Sequence, residues 1–192
     1  AIVDRIRKKC GRRPDSGPER SKVVIHLYWQ DNEVSVFIDT SGEPLAKRGY
    51  RKIPLHAPMQ ETLAACVVYA TAWHASGDFI NPMCGSGTLA IEAALLATGR
   101  APGLTRSNFG FMHLKGFEPS LWKCLQEEAR KRIHNAFTGR ILATDISNKA
   151  VLSAKKNARA AGVEHDIEFD TCDYSKTDIP GNEGVIVLNP EY

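Results

Sequence analysis

One stretch restricts the fold more than any other: "DFINPMCGSGTLAIEAALLATG", Asp78 to Gly99. "DFI" has the character of a short strand, "NPMCGSG" of a loop, and "TLAIEAALLAT" of a helix with Gly99 at its C′ position. A strand that passes through a Gly-x-Gly turn into a helix is the first half of a parallel β-α-β unit. The alternation continues along the chain. "MQETLAACVVYATAW" precedes it as a helix after Pro58, with Ala64, Ala65, Val68, Ala72 and Trp73 on its buried side. "RILATD" is a second strand, "NKAVLSAKKNARAAG" a second helix stopped by Gly162, "IEFD" a third strand and "GVIVLN" a fourth. Residues 100–139 interrupt the series with the aromatic "FGFMHLKGF" and a helix from Ser120 to about Ala136. Strands alternating with helices predict an α/β fold, a doubly wound and mostly parallel sheet covered on both faces.

The front of the chain reads differently. Residues 2–10 predict a helix with Ile2, Val3, Ile6 and Cys10 on one side. "GRRPDSGPERSK" is a loop by its Gly, Pro and charge. "VVIHLYW" and "EVSVFID", separated by "QDN", alternate as a hairpin does. We place a domain boundary after residue 52, giving segments 1–52 and 53–192. The first carries 12 Lys/Arg and 7 Asp/Glu, a net +5, against −2 for the remainder. That bias suits a polyanionic partner, and it equally suits a solvated basic face.

In doubly wound folds ligands lie beyond the carboxyl ends of the strands, so the loops there carry the functional argument. After the first strand, Gly85 and Gly87 permit a tight turn and close backbone approach, and Thr88 opens a helix whose free N–H groups favour an anion. The same Gly-x-Gly serves equally as a plain tight turn. It is neither the dinucleotide G-x-G-x-x-G nor a P-loop, because no third Gly and no Gly-Lys-Ser/Thr follow. After the second strand, Asp145 is placed to accept both hydroxyls of a ribose. Its alternative role is a helix N-cap, for which Ser147 or Asn148 already serves. After the third strand, Asp173 beside Tyr174 is a candidate for an adenine amine, or an exposed loop acid. After the fourth strand comes "NPEY". Pro190 stiffens this loop and restrains Asn189. The Asn189 side-chain carbonyl and a backbone carbonyl can accept from one planar –NH2, and Tyr192 offers a face to its ring. Its alternative is a strand-terminating turn.

Together these loops resemble those of class I S-adenosylmethionine-dependent methyltransferases that modify amines. More narrowly, "FIDTSGEPLAKRGYR", "NPMCGSGTLAIEAA", the "TD" of the second strand and "NP-x-Y" in order resemble the THUMP-linked ribosomal RNA large-subunit guanine-N2 methyltransferases. The resemblance implies a Rossmann-like methyltransferase domain over 53–192, and over 1–52 the C-terminal part of a THUMP α+β RNA-binding domain with its linker. It implies S-adenosylmethionine as cofactor. Asn81, Met83, Cys84, Gly85, Ser86, Gly87 and Thr88 fall on the loop for its methionine part, and Asp145 on the ribose acid. Ile146 falls beside the adenine, Asp173 on the adenine-amine acid, and Glu61 and Thr62 on a contact to the methionine carboxylate. Asn189, Pro190 and Tyr192 fall on the target-amine motif.

Two positions depart from the family's pattern. Asn81 stands where Asp is usual and lacks a charge to meet the cofactor's ammonium group. Glu191 stands where a second Pro is usual, which gives a looser and more negative loop. The implied reaction is methylation of a guanine N2 amine in large-subunit ribosomal RNA, the base flipped or unpaired. Alternatives are N6-adenine methylation, a protein glutamine acceptor, a degenerate methyltransferase fold acting as an RNA-binding module, and a nicotinamide oxidoreductase.

The remaining expectations are negative or peripheral. Five cysteines without a C-x-x-C pair predict reduced thiols in a cytoplasmic protein and no metal. No run approaches the ~18 apolar residues of a membrane span, and "AIVDRIRKKC" is no signal peptide. The family's sheet continues after "NP-x-Y", so the chain is expected to be a segment of a longer protein with its fourth strand at an edge. Arg48, Arg51 and Lys52 are candidates for RNA phosphates. Phe109, Phe111, Phe117 and Trp122 are candidates for a base platform or for packing against the sheet. The oligomeric state is left open.

Overall fold

The structure, a computed structural model, describes residues 2–14, 17, 19–53, 58–181 and 183–190. The chain divides into two compact units, residues 1–43 with 108–117, and residues 44–107 with 118–192. By contacts the division therefore falls at Pro44, and residues 44–52 belong to the second unit.

The first unit holds α1 (Ile2–Cys10), β1 (Val24–Gln30) and β2 (Glu33–Asp39). The expected hairpin is present, closed by Asp31 and Asn32. It pairs antiparallel from Val24↔Asp39 to Gln30↔Glu33. Asp31 takes a positive φ of 50° in the turn, which short Asx side chains tolerate. Opposed residues share a face, so Ile25/Ile38, Leu27/Val36 and Trp29/Val34 form one apolar side. On α1, Val3 is half-buried while Ile6 and Cys10 are exposed, so the expected apolar side is covered only in part.

Residues 108–117 join this unit. The Phe111 N–H donates to the Thr40 carbonyl at 2.9 Å. The Phe109 and Phe111 rings stack at 5.3 Å, and Phe117 lies 5.9 Å from Phe111. This aromatic segment thus clusters on itself beside the end of β2.

The second unit contains α2 (Glu61–Ala70), β3 (Asp78–Asn81), α3 (Thr88–Ala97), α4 (Pro119–Lys131), β4 (Ile141–Asp145), α5 (Asn148–Ala161), β5 (Glu168–Thr171) and β6 (Gly184–Ile186). Short 3₁₀ turns at Pro102–Thr105, Glu164–Asp166 and Tyr174–Lys176 fill the connections, and the one at Gly110–His113 belongs to the first unit. The four strands form one parallel sheet in the order β5-β4-β3-β6. The chain builds outward from β3 through β4 to β5, then returns to the other side of β3. The β3/β6 boundary is therefore the topological switch point, where such sheets bind ligands. Among the described residues β6 is an edge strand, as expected.

Three elements end earlier than the sequence predicts. α2 stops at Ala70 because Ala72 adopts a left-handed φ of 54°. Trp73 is buried all the same, from the loop, with its Nε1–H on the Gly77 carbonyl and its ring 5.0 Å from Phe79 and 5.5 Å from Phe137. α4 ends at Lys131 rather than Ala136. β6 spans three residues, although the Val187 N–H still reaches the Ile80 carbonyl at 2.8 Å.

α3 is buried nearly all round, because its alanines let α2, α5, β3 and β4 approach it together. Ile91 and Phe79 are fully enclosed. Each such side chain contributes roughly 1.5–3 kcal/mol. The sheet and α3 thus form a rigid base for the loops at the strand ends.

Candidate functional site

The loop between β3 and α3 combines three left-handed residues in alternation: Met83 (φ 57°), Gly85 (φ 56°) and Gly87 (φ 82°). The two glycines serve different purposes. A Cβ on Gly87 would stand 2.8 Å from the Ala154 Cβ, so this glycine lets α5 close on the loop. A Cβ on Gly85 would meet nothing within 4 Å. Open space beside a bare backbone is what close approach of a ligand requires. Met83 has no such freedom, and its left-handed backbone costs about 1–2 kcal/mol. Non-glycine strain of this kind clusters at ligand sites.

β4 holds the loop in place. The Cys84 N–H donates to the Thr144 carbonyl at 2.8 Å, and the Gly85 N–H to Asp145 Oδ2 at 2.9 Å. Asp145 Oδ1 accepts from the Ser147 N–H at 2.9 Å. Ser147 Oγ caps α5 by accepting from Ala150, as the sequence predicts. The Asp145 carboxylate is therefore free of the capping role, and each oxygen keeps acceptor capacity beyond its one backbone bond. Ile146, next along, is 73% exposed.

α5 contributes a residue that sequence reasoning missed. Asn157 is 1% exposed. Its Oδ1 accepts from the Lys52 and Ile53 N–H groups, and its Nδ2 donates to the Ser86 and Ile53 carbonyls. One side chain thus ties the segment ahead of α2 to the loop. In sequence it is an asparagine amid "KKNARAA", where a solvated position is the ordinary reading.

Asn81 ends β3, fully buried. Its Nδ2 donates to the Val187 carbonyl at 2.8 Å across the β3/β6 boundary, and its Oδ1 has no partner among the described residues. An Asp at this position would set a carboxylate oxygen against the Val187 carbonyl. Asn81 thus donates where an ionised Asp could not. An orphaned buried acceptor fits a ligand that brings its own N–H donors.

Asp173 follows β5. Its Oδ1 accepts from the Ser175 N–H at 2.9 Å and the Ser175 Oγ–H at 2.6 Å, and these bonds hold its pKa below the ordinary carboxylate value. Asn189 and Pro190 are exposed, one and two residues beyond Leu188 on the chain leaving β6. Glu191 and Tyr192 lie outside the described residues.

Residues 48–192 match the profile of the RMKL-like methyltransferase domain. The chain belongs to that family. Over its whole length it is 40% identical to the ribosomal RNA large subunit methyltransferase K/L of Vibrio cholerae serotype O1, and it spans 28% of that relative. It is similar over its whole length to a predicted N6-adenine-specific DNA methylase from Listeria monocytogenes, with 35% identity and a TM-score of 0.86. It is likewise similar to SMU.472, solved as a complex with SAH, with 31% identity and a TM-score of 0.83. The chain spans half of each of these two structures.

Within this methyltransferase domain, the arginines expected on RNA phosphates turn inward. Arg48 stands 3.2 Å from Glu92 Oε1, off the line of its Nε–H, so the pair is ionic without a hydrogen bond. The Tyr50 hydroxyl donates to the same oxygen at 2.7 Å. Burial outweighs both partners and pushes the Glu92 pKa up to about 7. Arg51 packs against Glu61, which is 5% exposed, at 3.5 Å. Thr62 is half-buried and Lys52 is exposed. The signal for Glu92 was present in the sequence, as the one charge inside "TLAIEAALLA".

Cys84 is buried in the methyltransferase loop, and desolvation, helped by the Asp145 charge, pushes its thiol up to about 12. A cavity of about 270 Å³ lies elsewhere, against α2 and the far half of α3, lined by Glu92, Leu95 and Leu96. No helix among the described residues is long and apolar enough to cross a membrane.

Proposed function

We propose that the chain carries the S-adenosylmethionine site of an RNA methyltransferase that modifies the N2 amine of a guanine in large-subunit ribosomal RNA. The observation that carries this reading is the Gly85–Asp145 clasp. It fixes an open, left-handed loop at the switch point of a sheet in a chain of the methyltransferase family. The kinship along the whole chain to a ribosomal RNA large subunit methyltransferase supports the RNA substrate. The SAH complex of a similar structure supports the cofactor.

S-adenosylmethionine supplies a methyl group already activated as part of a sulfonium. In our reading the chain's residues do the rest. Asn81, Met83, Cys84, Gly85, Ser86, Gly87 and Thr88 wrap the methionine part, with Asn81 Oδ1 as an acceptor for its ammonium. Asp145 accepts the ribose hydroxyls. Ile146 lies along the adenine, and Asp173 accepts from its amine. The Asn189 side-chain carbonyl and a backbone carbonyl of the loop accept the two protons of the guanine amine, which raises the lone-pair character of its nitrogen. Pro190 keeps that loop stiff, and Tyr192 stacks on the base. Catalysis then comes from positioning and polarisation, without a strong base. Residues 1–52 are, on this reading, the C-terminal part of a THUMP-like RNA-binding domain whose basic excess meets phosphate. The protein acts in the cytoplasm.

A second reading, N6-adenine methylation, is favoured by one observation: the Listeria relative carries that description. The Asn-Pro-x-Tyr chemistry serves either amine. Incubating the protein with unmethylated large-subunit ribosomal RNA and S-adenosylmethionine, then digesting to nucleosides for mass spectrometry, separates the two. N2-methylguanosine is the expected product. N6-methyladenosine replaces the first reading by the second, and methylation of neither overturns both.

A further inference from the structure

The residues assigned to the cofactor leave one of its charges unmatched. The methionine end of S-adenosylmethionine presents an ammonium and a carboxylate. Among the twelve candidate cofactor residues, Asp145, Asp173 and Glu61 are acidic and none is basic. Glu61 and Thr62 were expected at the carboxylate, yet a glutamate side chain repels an anion. The free N–H groups at the start of α3 favour an anion, and a cation beside them would complete the match.

We infer that Arg51 is that cation, the residue that binds the cofactor's methionine carboxylate, an inference that rests on the cofactor reading above. Among the described residues, Arg51 is a cation that touches the start of α3 at the end of the loop. Its Nη2 donates to Thr88 Oγ1 at 3.2 Å and to the Met59 carbonyl at 2.5 Å. Its side chain is 16% exposed, and its buried Nε has no partner among the described residues. A guanidinium carries five donors. Glu61, at 3.5 Å from Nη2, balances its charge without consuming them. Two helices begin here as well. Neither α2 at Gln60 nor α3 at Gly87 receives a side-chain cap. Their first N–H groups add positive potential around the guanidinium. Glu61 then acts through Arg51: it holds the guanidinium against Thr88, which explains a buried acid at a subsite for an anion.

A pair of ligands tests this. S-adenosylhomocysteine carries the amino-acid end, and 5′-methylthioadenosine lacks it while keeping the adenosine. Calorimetric titration of both against the wild type, Arg51→Ala and Arg51→Lys reads the carboxylate contact directly. A charge-assisted contact of this kind predicts that Arg51→Ala weakens S-adenosylhomocysteine roughly 10- to 100-fold. It leaves methylthioadenosine within about twofold, and Arg51→Lys recovers part of the loss. A thermal melt checks that each variant is folded. If Arg51→Ala does not fold, the Arg51→Lys ratio between the two ligands decides alone. Equal losses for both ligands, or no loss for either, overturns the inference. A folded wild type that binds neither ligand overturns the cofactor reading, and this inference with it.

Discussion

The hairpin β1/β2 and the strand pair β3/β4 are both rich in β-branched and aromatic residues, and they end in opposite environments. β3 is buried at every position, and β4 at every position but its last. On the hairpin, Ile25, Leu27, Trp29, Val34, Val36 and Ile38 are each at least 50% exposed. What separates the regions is the cover. α3 and α5 lie on β3 and β4, whereas no helix among the described residues packs broadly on the hairpin. β-propensity measures fit to a half-buried surface, so the same residue types stabilise one region far more than the other.

The sharpest test of this contrast is a matched pair of truncations. Phe79→Ala in β3 is expected to destabilise the second unit by about 3–5 kcal/mol, as for other enclosed aromatics. Phe37→Ala, at a residue 56% exposed on β2, is expected to cost under about 1 kcal/mol. Urea unfolding followed by fluorescence and circular dichroism reads both, and similar losses at the two sites break the comparison.

A charge inside the covered region gives the next largest effect. Glu92 has a folded pKa near 7, raised from the ordinary glutamate value of 4.5. The folded state therefore holds this proton more tightly than the unfolded state. Glu92's contribution to stability is fully present below about pH 4.5 and is lost as pH rises through 7, by about 3 kcal/mol. Glu92→Gln should lack that slope. Unfolding free energies between pH 4.5 and 8.5 check it, and parallel curves for the two proteins refute it.

Smaller still is the difference between the two loop glycines. Gly87→Ala meets both a left-handed backbone and Ala154, and should destabilise by about 2 kcal/mol. Gly85→Ala meets only the backbone strain and should cost about 1 kcal/mol, while losing S-adenosylhomocysteine binding. Equal stability losses with binding retained in Gly85→Ala would show that the open space there is not a ligand's. The smallest effect is chemical. Cys84 should resist iodoacetamide at pH 7.5 in the native protein while the exposed Cys10, Cys66 and Cys124 react.

The order of strands and helices was legible because each element carries its own period and its own stop. Gly99 and Gly162 end their helices as expected, Ser147 caps α5, and Asp145 stands at a strand end beside the loop it clasps. What was not legible depends on partners far apart in the chain. Arg51 and Lys52 look alike in "RGYRK", yet Arg51 is drawn in by Thr88 and Glu61 while Lys52 stays in solvent. Asn157 looks like any polar residue on an amphipathic helix, and only the fold brings Ser86 and Ile53 to it. Trp73 was correctly expected to be buried, though from a loop rather than from the helix. A left-handed Ala72 has no signature in a single sequence. The roles given to Asn189 and Pro190 rest on the chemistry of the residue types and on resemblance, and both residues are exposed.

The central claim is that the Gly85–Asp145 clasp holds a cofactor site. Calorimetric titration of S-adenosylhomocysteine into the folded wild type and into Asp145→Ala, with NADH as the competing ligand class, tests it most directly. The account predicts saturable binding to the wild type, at least about a 100-fold loss in Asp145→Ala from the hydrogen bonds removed, and no binding of NADH. Unchanged affinity in Asp145→Ala, or no binding by a folded wild type, would contradict it.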